Sequence, residues 1–249
     1  PVFGRGYGEE VDWCQKVRAL GGRHLGLPGL FVEHRGGHSF GSAAKQALIL
    51  KNNETIAHRY PGYDAEVQGI IEADPLAGPR LALAIGWAAG QGGGALPIYL
   101  AHALGGGADT YLERRIEQEL GAGAPGAVVL RVGGAARWQV ELITARGRVA
   151  GTTDDFEMVQ RLLEPVSTRH IIYSCGVGDP DPVTLPGHLL ALKRGDGDRI
   201  EVLVHDFFML SPSYTLLDGD GVYRGPLSAP VKVRESTRQR LGPSAESGL

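Results

Sequence analysis

Cysteine is scarce: two residues in 249, Cys14 and Cys175, far apart and in no CxxC or zinc-ligand spacing. That excludes a disulfide scaffold, and the bland reading is two small buried residues in a reducing compartment. An excess of basic charge is also missing. The net charge is -3, so nothing here predicts a phosphate-backbone partner, and no nucleic acid is expected. A membrane-spanning run is missing too. Residues 81–108 carry no Asp, Glu, Lys or Arg, but Gly90, Gln91, Gly92, Gly93, Gly94 and Pro97 interrupt them. A spanning helix needs about 20 continuous, mostly apolar residues. The chain opens at Pro1-Val2-Phe3-Gly4 without an initiator Met or a signal-like segment, and it reads as an internal fragment.

Glycine, by contrast, is abundant. The 38 glycines are roughly double the usual ~7% share, and their short clusters suit βα turns. Hydrophobic residues at 43% and charged residues at 21% fit a globular chain.

Two patterns divide the sequence. The first 76 residues read as helix and loop. Val11, Cys14, Val17 and Leu20 recur at helical spacing over 9–20, and Gly21-Gly22 ends that helix. Residues 23–32 suggest a short strand, 33–41 a polar loop, and 42–59 a second helix. Residues 77–95, rich in Gly and Ala, read as a linker. From 96 to 226 strands alternate with helices: strands near 96–104, 127–132, 138–144, 169–175 and 200–204, helices near 109–120, 154–163 and 186–193. Such alternation predicts an α/β fold, a Rossmann-like parallel sheet with helices on both faces. Residues 227–249 have little apolar periodicity and read as a poorly ordered tail.

Three carboxylates, Glu9, Glu10 and Asp12, open the first helix. Taken alone they read as compensation of the helix dipole. The chemical alternative is that one is a general base, taking the proton of a sugar hydroxyl as it attacks an anomeric carbon. Downstream, His34 and His38 lie in the Gly-rich run Glu33-His34-Arg35-Gly36-Gly37-His38-Ser39. Imidazole there could hold a divalent metal that offsets charge on a departing nucleoside diphosphate.

The stretch GYGEEVDWCQKVRALGGRHLGLPGLFVEHRGGHSFG resembles the last part of the catalytic domain of family 2 glycosyltransferases, which have the GT-A fold. The resemblance covers about the first third of the chain. It implies that Glu10 is the catalytic base of an inverting transfer and that Glu9 helps place the acceptor. Asp12 lies in the same acidic run and is taken as substrate-binding. His34 would complete metal (Mg or Mn) or diphosphate binding, and His38 and Ser39 would contact phosphate. Arg18 matches a structural helix arginine. The nucleotide-binding start of that fold, with its Asp-x-Asp metal motif, would be expected before Pro1 and is not part of the matching stretch.

A second constellation lies further on. Gly105-Gly106-Gly107 between strand and helix lets backbone N–H groups approach an anion. A dinucleotide fingerprint is not met, because Thr110 stands at the third glycine position and Arg131, not an acid, ends the next strand. A ligand-free βα turn stays open as an alternative. His205 and Asp206 follow a predicted strand, where ligands bind in open α/β sheets, and His205 could deprotonate an acceptor hydroxyl with Asp206 as partner. A histidine hydrogen-bonded to its own loop is the competing reading.

HALGGGADTYLERRIEQEL and IEVLVHDFFMLSPSYTLLDGDGVYRG are similar to segments in the first half of GT-B glycosyltransferases of family 4 type, with Met209 departing from an expected proline. This implies that Gly105, Gly106, Gly107, His205 and Asp206 face an acceptor. Together the two resemblances imply a glycosyltransferase of bacterial surface polysaccharide synthesis. Its partners would be a nucleotide-sugar donor and a glycan or lipid-linked glycan acceptor. Its place would be the cytoplasm, with peripheral membrane association. A non-catalytic acceptor-binding fragment and a nucleotide-dependent oxidoreductase are the alternatives.

Overall fold

The computed structural model describes residues 2–4, 6–27, 30, 32–33, 42–223 and 225. The chain divides into two compact units, residues 1–75 and 76–249.

The first unit holds three helices, α1 (Glu9–Ala19), α2 (Ser42–Arg59) and α3 (Tyr63–Ala73). Residues 22–27 form no strand, correcting the expectation for 23–32. Little apolar surface is available: Phe3 and Ile56 are its buried hydrophobic residues among those described. Polar staples compensate. Asn52 of α2 is buried, and its amide faces the carbonyls of Phe3, Gly6 and Tyr7 at 3.1, 2.7 and 2.7 Å. That fixes the turn before α1, where Tyr7 and Gly8 adopt φ of 65° and 115°. Arg18 pairs with Glu66 at 2.8 Å, tying α1 to α3.

The second unit begins with α4 (Ala77–Gln91), not with a loose linker. Its Leu81, Ile85, Ala88 and Ala89 are buried at i, i+4, i+7 and i+8, the stripe of a core-facing helix. Alanine-rich sequence that resembles a linker by composition is here good helix former. Then follow β1 (Ala95–His102), α5 (Gly107–Gly121), β2 (Ala127–Val132), β3 (Trp138–Thr144), β4 (Gly147–Thr153), α6 (Phe156–Leu162), β5 (Thr168–Tyr173), α7 (Leu185–Leu192) and β6 (Arg199–Val202). A short 3-10 turn, Pro182–Thr184, precedes α7.

The strands form one sheet in the order β4-β3-β2-β1-β5-β6. β1 runs parallel to β2 and β5, and β5 to β6; β3 is antiparallel to both its neighbours. The sheet is therefore mostly parallel, an α/β fold of Rossmann-like type. The antiparallel pair departs from the purely parallel expectation because residues 133–137 and 145–146 are too few for a crossover. β4 was not legible, since only Val149 and Ala150 interrupt its polar and glycine residues.

Both faces are covered. Alternate residues Leu96, Ile98 and Leu100 of β1 pack with α4, α6 and α7; Tyr99 and Ala101 pack with Leu112 and Ile116 of α5. Asp155 caps α6, accepting from the Glu157 N–H at 2.8 Å. Gly94 precedes β1 at φ 88°, and a Cβ there would overlap Ser167 Oγ. Its carbonyl accepts from the Ser167 and Thr168 N–H groups at 2.8 and 3.1 Å, which sets β5 in register.

Among the described residues no helix is long and apolar enough to cross a membrane.

Candidate functional site

The first unit has a cavity of about 380 Å³ lined by Tyr7, Gly8, Glu10, Val11, Ile49, Asn53, Ile56, Tyr63 and Asp64. Glu10 is an exposed residue of the first turn of α1 and reaches this cleft. Glu9 is exposed one residue earlier and is not part of the cleft wall. Asp12 has a different job from the substrate contact expected of it. Its carboxylate is met by Lys16 at 2.6 Å, Arg59 at 2.7 Å and the Tyr60 hydroxyl at 2.8 Å. The Lys16 ammonium, and then the Arg59 guanidinium, hold it well below the usual carboxylate range. Asp12 therefore clamps α1 to the end of α2. His34, His38 and Ser39 lie outside the described residues.

In the second unit, β1 and β5 are neighbours, and the crossover from β1 through α5 leads to β2 on one side while that from β5 through α7 leads to β6 on the other. Ligands of open α/β sheets bind at such a switch point, beyond the carboxyl ends of the strands. The residues there come from three places. β1 ends on His102, followed by the turn Gly105-Gly106-Gly107. β5 continues into Ser174, Cys175 and Gly176. The loop after β6 supplies His205 and Asp206.

The glycine turn is open. A Cβ at any of its three positions would meet nothing within 4 Å, so the glycines are not there to relieve crowding. Gly105 and Gly106 need φ of 74° and 93°, which favours residues lacking Cβ. Gly107 starts α5, and Thr110 donates its N–H and its hydroxyl to the Gly106 carbonyl, both at 3.0 Å. Asp109 and the His102 carbonyl are held at 2.5 and 3.0 Å by the buried Arg131 guanidinium, which also reaches Glu113 and Glu141 at 3.1 and 3.2 Å. Arg131 thus organises the turn from beneath.

The structure brings His205 to the same turn, because its ring meets Tyr111 of α5 edge to face, centroids 5.5 Å apart. His205 Nδ1 lies 3.2 Å from both the carbonyl and the hydroxyl oxygen of Ser174. A carbonyl only accepts, so the proton sits on Nδ1 and Nε2 carries the lone pair. The neighbouring acid does not take part. Asp206 is buried and accepts from the Tyr173 hydroxyl at 2.7 Å, the Gly176 N–H at 2.7 Å and the Phe208 N–H at 3.0 Å. It is not the partner of His205, as the sequence suggested; it pins the loop that carries His205 onto the end of β5. Burial, then the Asp206 carboxylate, pushes the Tyr173 hydroxyl far above the ordinary phenol range. Gly176 belongs to the same joint: a Cβ there would collide with Leu185 and the Tyr173 hydroxyl. Cys175 is buried, and burial pushes its thiol up to about 12, which keeps it inert.

Sequence reasoning missed His102, Ser174 and Tyr111. The available signal was an apolar strand ending on a histidine immediately before a glycine turn. Burial pushes the His102 imidazole pKa down. Among the described residues no group of three or more His, Cys, Asp or Glu side chains is arranged to hold a metal ion. No protein-family model, curated protein or solved structure matches this chain.

Proposed function

We propose that the chain is part of a glycosyltransferase that moves a sugar from a nucleotide-sugar donor to a glycan acceptor. The acceptor binds at the switch-point crevice of the second unit. The observation that carries this reading is the exposed His205 ring beyond the carboxyl ends of the strands, held through Nδ1 by the Ser174 carbonyl so that the lone pair falls on Nε2. An imidazole nitrogen that carries a lone pair is suited to take the proton of a hydroxyl nucleophile. As an acceptor hydroxyl attacks the anomeric carbon, the C–O bond to the diphosphate breaks. The hydroxyl proton passes to Nε2, and the diphosphate leaves with the bonding electrons. In the first unit Glu10 offers the same service from its own cleft. A divalent cation, with His34 as its expected ligand, would offset the diphosphate charge.

The oxidoreductase reading is weaker on a specific observation. Near the end of β2 stands Arg131, and its guanidinium is committed to Asp109, Glu113 and Glu141. It offers no acid to a ribose.

The test is retention of the chain on immobilised glycans and on immobilised NAD, combined with transfer assays over a panel of nucleotide sugars. Glycans should retain the chain, and His205→Ala should cut turnover on them by about a hundredfold. Glu10→Gln should do the same for transfer by the first unit. Retention by NAD alone, or unchanged transfer by both variants, would overturn the assignment.

A further inference from the structure

The second unit has a cavity of about 360 Å³ at the amino ends of its strands. Its floor is a row of register partners: Pro97 on β1, His170 on β5 and Arg199 on β6. Strands lie about 4.8 Å apart, so the row spans roughly 10 Å. Pro97 shares a face with Tyr99, the face that α5 covers. Helices α4, α6 and α7 pack on the opposite face, so past α5 the row has no helical cover among the described residues. One wall is negative. Glu119 stands in the last turn of α5, where the helix dipole is negative and no basic residue offsets it. Its Oε1 accepts from the Tyr99 hydroxyl at 2.6 Å and from Arg115 Nε at 3.4 Å, and its Oε2 is buried without a donor. Arg115 gives its two terminal nitrogens to Glu201, at 2.7 and 2.9 Å. The other wall is positive. Arg199 is exposed and donates from Nη2 to His170 Nδ1 at 2.9 Å. A ring nitrogen that accepts carries a lone pair, so this imidazole is neutral, with its proton on Nε2, 2.8 Å from Glu201. Among the described residues no carboxylate pairs with Arg199; Glu119 and Glu201 are both taken by Arg115.

We propose that this cavity binds a small zwitterion of the amino-acid class, its carboxylate on Arg199 and its ammonium towards Glu119. The two side chains line one cavity without pairing with each other, and a ligand carrying both signs answers both. Arg199 keeps donors for a carboxylate, a charge-assisted bond stronger than a neutral one. The ammonium meets the Glu119 carboxylate together with the negative end of α5. Ala95, Pro97, Ala124 and Pro125 offer apolar surface to an aliphatic side chain. A plain anion would be repelled by Glu119, and a plain cation by Arg199. His205 lies beyond the other end of the same strands, so this site does not depend on the acceptor site.

Titration of the intact chain with L-alanine, L-valine and L-leucine, followed by 1H–15N amide NMR, tests the site. Binding should shift the amides of Thr168, Gly197 and Arg199, which border the cavity. Propionate and ethylamine each carry one of the two charges. Each should bind about tenfold more weakly than alanine or worse, having lost one charge-assisted contact. Arg199→Gln keeps a donor for His170 and should weaken alanine about tenfold or more. Glu119→Gln keeps an acceptor for Tyr99; it should weaken alanine by a similar factor and leave propionate at least as tight. Amides that stay still at millimolar concentrations of all three amino acids would overturn the site. So would alanine binding that either variant leaves unchanged. Propionate or ethylamine binding as tightly as alanine would overturn the zwitterion assignment.

Discussion

At the residue scale, His205 and Asp206 are sequence neighbours with unrelated tasks. The loop turns between them, so one side chain is exposed and the other is 3% exposed. Removing the Asp206 carboxylate leaves the Tyr173 hydroxyl and the Gly176 and Phe208 N–H groups without their acceptor. Stranded buried donors cost about 1–3 kcal/mol each, with partial relief by water. Asp206→Ala should therefore lower unfolding stability by about 3 kcal/mol, read from urea melts. A loss below about 0.5 kcal/mol would show that the carboxylate does not hold the loop. Asp12 gives the parallel case in the first unit. Three carboxylates in one helical turn look equivalent in sequence, yet α2 supplies Arg59 to one of them and Glu10 is left to the cleft. No spacing rule within 9–12 reveals which acid a helix some forty residues away will engage.

At the element scale, Arg131 joins four pieces. It sits on β2 and binds the end of β1, the start of α5 and Glu141 of β3. Glu141 is itself buried, with Arg148 as its remaining cationic partner at 3.2 Å. Arg131→Ala should destabilise by about 3 kcal/mol, because it takes from the buried Glu141 its buried cationic partner and leaves it the half-exposed Arg148. The double variant Arg131→Met with Glu141→Leu should recover most of that loss, since it removes the buried carboxylate with its cation and leaves Asp109 at a partly exposed position. Thermal melts of the three proteins decide it; a double variant as weak as the single would mean that packing, not charge, sets the cost. Element identity was largely legible where periodicity was strong. α5 shows Leu112, Ile116 and Leu120 four apart, and β2 is apolar apart from Arg131. It failed at α4, where Gly and Ala composition masked a buried stripe, and at β4, whose polar edge lacks a period. The candidate site was half legible. The glycine turn and His205 follow from strand ends, whereas His102 and Ser174 become visible only once β1 and β5 are neighbours. That pairing joins residues some seventy positions apart.

At the scale of the whole molecule, buried and half-buried histidines set the response to acid. Burial pushes the pKa of His102, His170 and His188 below the ordinary 6.5. The unfolded chain then binds protons near pH 6.5 that the folded chain refuses, so stability falls as pH drops below that value. Acidic ion pairs act lower down. Arg115 holds Glu201 at about 2 against an ordinary 4.5, so its contribution is kept above pH 4.5 and lost as pH falls towards 2. Denaturation midpoints measured from pH 8 to pH 5 should decline mainly below pH 6.5. The triple variant His102→Gln, His170→Gln, His188→Gln should flatten that decline. A wild-type midpoint that is level from pH 8 to pH 5 would contradict the burial of these rings.

The parallel pairing of β6 with β5 has a further consequence. His205 follows β6 by three residues, while the carbonyl that fixes its proton follows β5 by one. The two strands therefore work as a sliding scale with a single correct setting, Tyr173 against Val202. A slip of two residues would keep every side chain on its own face yet carry the imidazole about 6–7 Å along the sheet. The ring would lose its carbonyl and the proton would be free to change nitrogens. The position of the proton on His205 is thus written in the alignment of two backbones as much as in the choice of a histidine.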